Sequence, residues 1–155
     1  MMTTEEKGGA GTGVTMLEHL GGRERLREFV EHFHHAALAD DLLGPMFARG
    51  ASAHAAHLLA FFEEVMGGRK GYTERHRGVE GLFDAHAGLA ITDEQRRRFV
   101  ALMLEAADAA ALPRDERFRS ALAARIEAGS MFSMTLSQPG AERLWPWPPV
   151  GTYEW

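Results

Sequence analysis

Three of the eight histidines stand where an imidazole could bind a metal ion or exchange a proton. His34 and His54 lie on or beside the apolar faces of predicted helices, and His86 lies in the apolar stretch that runs from Leu82 to Ile91. Histidine is the commonest metal ligand and is the side chain that titrates near neutral pH. These three residues are therefore the first candidates for chemistry.

Two familiar metal sites of helical proteins do not fit the sequence. A di-iron bundle needs two Glu-x-x-His motifs and two further glutamates, whereas Glu31-x-x-His34 is the only such motif present. No His-Glu-x-x-His zinc motif occurs, and the chain has no cysteine. His54-x-x-His57 could clip a metal ion on one helix face, but no third ligand is evident.

A haem site asks for one unencumbered imidazole, a slot of large apolar side chains and a second helix on the other side of the iron. His86 fits the first demand, although a lone histidine there is more often satisfied by a backbone carbonyl. His34 and His54 fit the third demand. Aromatic rings on five predicted elements could form the slot, although such rings usually belong to an ordinary hydrophobic core. These rings are Phe33, Phe47, Phe61, Phe62, Phe83 and Phe99.

The elements that must position these residues are predicted to be helices alone, because no segment alternates with a period of two. Thr15-x-x-Glu18 and Thr92-x-x-Gln95 have the form of capping boxes, and Ser52 is predicted to cap another helix. Residues 69–81 are predicted to be a basic, glycine-punctuated connection. The first predicted helix is short, beginning at Thr15 and ending at Gly21-Gly22, and the second runs from about Arg23 to Ala39. The others are predicted from near Ser52 to Gly67-Gly68, over a short apolar segment at 82–86, from Thr92 to before Pro113, and after Pro113, where the last carries Phe118, Leu122 and Ile126.

The composition is that of one globular domain, at 155 residues, 45% hydrophobic and 25% charged. We expect a disordered segment at 1–14, a domain at 15–136 and a Pro/Trp-rich tail at 137–155 that either packs on the body or mediates self-association. The net charge of −5 and the scattered basic residues argue against nucleic acid, and the run Arg96–Arg98 is predicted to be a solvated face. The lack of cysteine, of a signal peptide and of a membrane span predicts a cytoplasmic protein.

The order and spacing of several short motifs over residues 15–136 resemble those of the truncated haemoglobins. The 13 residues between Tyr72 and His86 are similar to the longer linker of the second group of that family, whereas the run HAGLAIT is more similar to the first group. The resemblance implies a 2-on-2 helical sandwich around haem b. The matching pieces are Leu17-x-x-Leu20-Gly21-Gly22, Phe33 to Asp40, Leu43-x-Pro45-x-Phe47, Phe61-Phe62 to Gly67-Gly68, Tyr72-Thr73 and His86 to Thr92.

The resemblance also implies roles for individual residues. His86 falls on the proximal iron ligand, and His54 falls on the gate position of the distal helix. His34 and Phe99 fall where the family usually has a tyrosine and a tryptophan that donate to bound ligand, so stabilisation of oxygen would pass to His34, His54 or both. The residues expected to contact the haem are Phe47, His54, Leu58, Phe61, Phe62, Tyr72, Leu82, His86, Leu89, Ile91 and Phe99.

The function implied is reversible binding of a diatomic ligand such as O2, NO or CO, with nitric oxide dioxygenation or peroxidase-like turnover as attached alternatives. In peroxide chemistry His54 could act as a general acid–base, and any redox turnover would need an unidentified reductase. His34 or His54 could also bind the iron directly when no gas is present. The alternative from another class is a haem-free globin-like sensor or interaction domain, and a homodimer is left open.

Overall fold

The computed structural model describes residues 13–155, except for the side chains of Ala51 and Ser52. All regular structure in this part of the chain is helical, which confirms the predicted all-α class. The helices are α1 (Met16–Leu20), α2 (Arg23–Ala39), α3 (Gly44–Ala48), α4 (Ala51–Val65), α5 (Gly71–His76), α6 (Gly78–His86), α7 (Asp93–Ala109) and α8 (Glu116–Leu136).

Side-chain caps explain where two of these helices begin. The Thr15 hydroxyl accepts from the Glu18 N–H while the Glu18 carboxylate accepts from the Thr15 N–H, and Thr92 and Gln95 make the same reciprocal pair. Both capping boxes satisfy backbone donors that have no partner inside the helix. Helix α1 ends at Gly21, whose φ of 115° lies in the left-handed region. The start of α1 and the start of α7 are thus fixed by local chemistry.

The core forms where α2 packs between α4 and α7, while α7 also packs against α8. The buried residues of α2 recur at helical spacing and contribute Phe29 and Phe33, which are fully buried. Burial of one such ring stabilises the fold by about 1.5–3 kcal/mol. Helix α6, which carries His86, packs against α5 and α8. The site histidines therefore sit on helices that approach the core from different sides.

The structure corrects the prediction for residues 69–81. Most of this stretch is helical, because α5 and the first turn of α6 lie within it, joined at Arg77 with a φ of 64°. The carboxylate of the buried Glu64 accepts from the Thr73 N–H, which satisfies one of the donors at the start of α5. Glycines at 71, 78 and 81 had made this stretch resemble a loop.

Three further predictions are corrected or lie beyond the structure. Helix α4 begins at Ala51 after Gly50, so Ser52 lies inside the helix and is not its cap. Arg96 is buried and pairs with Asp93 and Glu127, so Arg96–Arg98 is not a uniformly solvated face. Of the predicted disordered segment, residues 1–12 lie outside the described residues. Within the described residues, no helix combines the length and apolar character that crossing a membrane requires.

Candidate functional site

His86, the last residue of α6, is held in one tautomer by its own helix. Its Nδ1 lies 2.8 Å from the carbonyl oxygen of Leu82, one turn earlier. A carbonyl only accepts, so Nδ1 carries the proton and the neutral ring keeps a lone pair on Nε2. Burial lowers the pKa of His86; the Leu82 carbonyl acts against this shift, and His54 adds a smaller lowering. The side chain is therefore neutral at pH 7, with the nitrogen that a metal ion would need left available.

A second group of rings comes from α2, α3 and α4. The ring centroids of His34 and His54 lie 6.2 Å apart, and the ring of Phe47 lies 5.3 Å from His54 and 6.4 Å from His34. The three contacts are all edge-to-face, the arrangement that aromatic rings prefer. The structure thus brings together the two histidines predicted for the distal side and Phe47, which was predicted to contact the haem.

The two distal imidazoles differ in their hydrogen bonds. His54 Nδ1 donates to the carbonyl oxygen of Phe47 at 3.1 Å, which leaves the lone pair of a neutral His54 on Nε2. His34 Nε2 is buried and has no hydrogen-bond partner in the described structure. A buried polar atom without a partner is rare and calls for an explanation. Burial, and then repulsion by His54, lower the pKa of His34.

His54 acts electrostatically on both other candidate histidines, since it contributes to the lowered pKa of His34 and, as the smallest of three causes, to that of His86. The ring contact places His34 and His54 side by side. His86 lies at the end of α6, where the Leu82 carbonyl holds its ring.

Apolar side chains complete the surroundings. Phe33 contacts Phe47 and Phe99, with centroid distances of 5.6 Å and 5.0 Å, and Phe61 contacts Tyr72 at 5.5 Å. Burial raises the pKa of Tyr72 to about 12, with Arg77 acting weakly in the other direction, so its hydroxyl stays protonated. Besides Phe47, His54 and His86, the predicted haem contacts that are half-buried are Leu58, Phe61, Leu82, Leu89, Ile91 and Phe99.

Two predicted members also contact other parts of the molecule. Phe62 packs against Phe29 in the core, at a centroid distance of 6.0 Å, and against Phe61 at 5.8 Å. The ring of Phe83 packs on Trp147 of the tail, at 5.9 Å. The centroids of His57 and His76 lie 4.2 Å apart, and no cluster of three or more metal-ligating side chains occurs in the described residues. The proposed His54–His57 metal clip is thus unsupported.

The contacts between α6 and the tail are absent from the sequence-based prediction. Arg143 pairs with Glu80 and Asp84, both of which lie on α6 close to His86. These residues show no periodic or motif signal, since their meeting depends on the path of a non-helical segment. Only the content of the tail, rich in tryptophan and proline, hinted that it packs on the body.

Comparison with solved structures gives the same architecture. The haemoglobin of the thermophilic phototrophic bacterium Chloroflexus aurantiacus is 27% identical, with a TM-score of 0.70 over 77% of this chain and 97% of that one. The truncated oxygen-avid haemoglobin of Bacillus subtilis is 26% identical, with a TM-score of 0.69 over 77% and 98%. The group II truncated haemoglobin of Bacillus anthracis, at 22% identity and a TM-score of 0.70 over 78% and 90%, shows the shared fold.

Family models give the assignment. The comparison with curated proteins finds no match, whereas the model described as bacterial-like globin matches residues 15–128. That match covers every element that contributes to the site, from the Thr15 cap to the first half of α8. The chain therefore belongs to the bacterial-like globin family and has the fold of a truncated haemoglobin, as its sequence motifs had predicted.

Proposed function

We propose that this protein binds haem b through His86 and uses the haem to bind a diatomic gas reversibly, with oxygen as the leading candidate. The observation that carries the proposal is the His86 imidazole, whose Nδ1 is held by the Leu82 carbonyl so that Nε2 stays available. The neighbouring rings of His34 on α2 and His54 on α4 support it. Membership of the globin family implies a haem cofactor. A bound haem would supply an iron atom that can bind a small gas molecule.

The residues present fit such a group. The carbonyl of Leu82 fixes the tautomer of His86 that presents Nε2, the arrangement expected of an imidazole that ligates a metal. The sequence had left open whether His86 is a metal ligand or only donates a hydrogen bond to a backbone carbonyl. The two interpretations are compatible, because the hydrogen bond uses Nδ1 and a metal ion would use Nε2. Half-buried apolar side chains at Leu58, Phe61 and Phe99 suit the faces of a large flat macrocycle.

The distal histidines are proposed to have different roles. An oxygen ligand accepts a hydrogen bond, but neutral His54 in the observed tautomer carries its proton on Nδ1, where it is used by Phe47. His34 Nε2 is buried and unpartnered, so it is available to donate. A hydrogen bond made away from water is stronger than one in solution. We therefore assign ligand stabilisation to His34, and the capacity to ligate the iron when no gas is bound to His54.

Absorption spectroscopy tests the proposed function. The purified protein is titrated with haemin, reduced, and exposed to CO and then to O2, with the Soret band followed throughout. We expect saturation at one haem per chain and a shift of the ferrous band with each gas. Absence of a Soret band after haemin addition would exclude this function and favour the alternative of a haem-free interaction domain.

Oxygen dissociation rates test the division of roles between the distal histidines. His34→Leu removes the donor and is expected to raise the rate by about tenfold, because one hydrogen bond contributes about 1–1.5 kcal/mol and 1.4 kcal/mol corresponds to a factor of ten. His54→Leu is the matched control, since it removes an imidazole of the same cluster and is expected to change the rate by less than about threefold. Equal effects of the two substitutions would contradict the assignment.

A further inference from the structure

The tail, residues 137–155, runs along α6 in the opposite direction and is attached at three places. Its first residues hold the loop after His86, its middle contacts the exposed side of α6, and its last described residues reach α4 and α8. This path lies beyond residues 15–128, the part of the chain that matches the family. The helix that carries His86 thus lies between the tail and the body of the domain.

The first attachment fixes the loop that follows His86. The carbonyl of Ser137 accepts from the Ala90 N–H at 2.9 Å, and its hydroxyl accepts from the Ile91 N–H at 2.9 Å. Ser137 is fully buried. Ala90 has a φ of 49°, a left-handed conformation that a residue with a side chain adopts only when its surroundings impose it. The start of the tail supplies that constraint four residues beyond His86.

The second attachment centres on Arg143. Its guanidinium group pairs with Asp84 and Glu80, each at 3.0 Å, and lies 5.1 Å from the ring centroids of both Phe83 and Trp147. Phe83 precedes His86 by three residues, a spacing that places two side chains next to each other on a helix. Arginine suits this place, because its planar group can stack on rings while it pairs with carboxylates.

The third attachment fastens the far part of the tail to the body. The Tyr153 N–H donates to the carbonyl of Val65, the last residue of α4. The ring of Trp155 packs 4.7 Å from that of His19 and 5.9 Å from that of Phe118, measured between centroids. These residues belong to α1 and to α8, so this end of the tail is joined to helices of the core.

We propose that the tail is a strap that positions α6, and through it the His86 imidazole, with Arg143 as its central positioning residue. The proposal rests on the proposed function, since it concerns the ligand of the haem. A strap attached on both sides of Arg143 restricts how far α6 can move away from α8. Restricting that movement keeps the Nε2 atom of His86 in place before the haem binds. The free-energy cost of ordering the site on haem binding is therefore lower.

The test compares Arg143→Ala and Trp147→Ala with Arg114→Ala, in the full chain. Arg114 is a matched control, because it is also exposed and also pairs with an aspartate, Asp108, but it lies at the turn before α8. Hydrogen exchange of backbone amides is measured in the apoprotein. Haem dissociation and the ferrous iron–histidine stretching frequency are measured in the holoprotein, and Arg143→Lys tests for rescue.

For Arg143→Ala we expect amides of α6 to exchange about tenfold faster, the change expected when two modest ion pairs and two cation–π contacts are lost together. Amides of α2 keep the rates of the control. Haem dissociates about tenfold faster, the iron–histidine frequency shifts, and Arg143→Lys restores part of each effect. Trp147→Ala is expected to change amide exchange, haem dissociation and the iron–histidine frequency in the same direction, but by smaller amounts.

Two results would overturn the proposal. If the α6 amides of Arg143→Ala exchange at the same rate as those of the Arg114→Ala control, the tail does not hold the helix. Faster exchange from α6 with unchanged haem dissociation and frequency would show that the tail does not position His86. Failure of the proposed function is separate from both, because it is detected by the missing Soret band of the unmodified protein.

Discussion

Gly81 of α6 lies against the end of α5 with no room for a side chain, and its replacement by alanine is the sharpest test of how α6 is placed. The chain turns sharply at Arg77, which brings the carbonyl oxygen of His76 onto Gly81. A Cβ atom at Gly81 would lie 1.8 Å from that oxygen and 3.0 Å from the carbonyl carbon. Both neighbours are backbone atoms, so no side chain can rotate away.

The size of the required movement follows from this distance. Real Cβ atoms essentially never approach a heavy atom closer than 3.0 Å, so α6 must move about 1.2 Å away from the end of α5. Overpacking of this kind destabilises a fold by about 1–3 kcal/mol or more. His86 lies on the same helix, five residues further on. We therefore expect Gly81→Ala to release haem at least about tenfold faster, since each 1.4 kcal/mol corresponds to a factor of ten.

Urea unfolding of the apoprotein and haem transfer to an excess of a scavenging apoprotein measure the two effects. Gly129→Ala is the matched control, because Gly129 lies inside α8 and a Cβ there meets nothing within 4 Å. That control is expected to stabilise the protein by about 0.5–1 kcal/mol, the helix propensity difference between the two residues. The reasoning is refuted if Gly81→Ala is as stable as Gly129→Ala and keeps its haem equally long.

Two further predictions concern stability. Burial alone would raise the pKa of Glu63, but hydrogen bonds from Arg69 and Arg23 outweigh it and hold the pKa below its usual range. Ionised Glu63 therefore stabilises the fold above its unfolded-state pKa of about 4.5, and this contribution disappears as the pH falls through the lower folded-state pKa. Glu63→Gln should lower the free energy of unfolding by about 2 kcal/mol at pH 7, as measured by urea unfolding. A difference between variant and wild type that stays constant down to pH 3 would contradict this account. Thr92→Ala removes the capping box of α7 and should lower the free energy of unfolding by about 1 kcal/mol, as measured by thermal unfolding. Thr135→Ala, at an exposed position within α8, is the control. A loss of stability no greater than that of the control would show that the cap is unimportant.

The helices with strong local signals were predictable from the sequence. Helix α2 has the predicted bounds, because a 17-residue amphipathic segment lies between Gly22 and Asp40. The capping boxes at Thr15 and Thr92 formed as predicted for the same reason. In each case the information lies within a few residues of the chain.

Features that depend on tertiary contacts could not be predicted from local sequence signals. The glycine at 81 favours a loop locally, yet in the structure it permits two helices to cross closely. The spacing of His54 and His57 predicted a shared face, but Phe47 contacts one ring and His76 contacts the other. The tail shows the limit most clearly, because no periodicity indicates that Arg143 meets α6.

The candidate site was predictable only as a set of residue types. The sequence singled out His34, His54 and His86, and the structure places the first two rings 6.2 Å apart and the third at the end of α6. It did not indicate which nitrogen of each ring is committed, since that depends on the carbonyls of Leu82 and Phe47. The different roles proposed for the two distal histidines come from the hydrogen bond between His54 and the Phe47 carbonyl and from the unpartnered Nε2 of His34.

The central claim is that His86 Nε2 ligates the haem iron, and a haemin titration of His86→Gly with and without free imidazole tests it most directly. Unmodified protein is expected to bind one haem per chain with a sharp Soret transition. His86→Gly is expected to lose stable binding and to regain it when imidazole fills the space left by the side chain. A variant that keeps the wild-type affinity and ferrous spectrum without imidazole would contradict the claim.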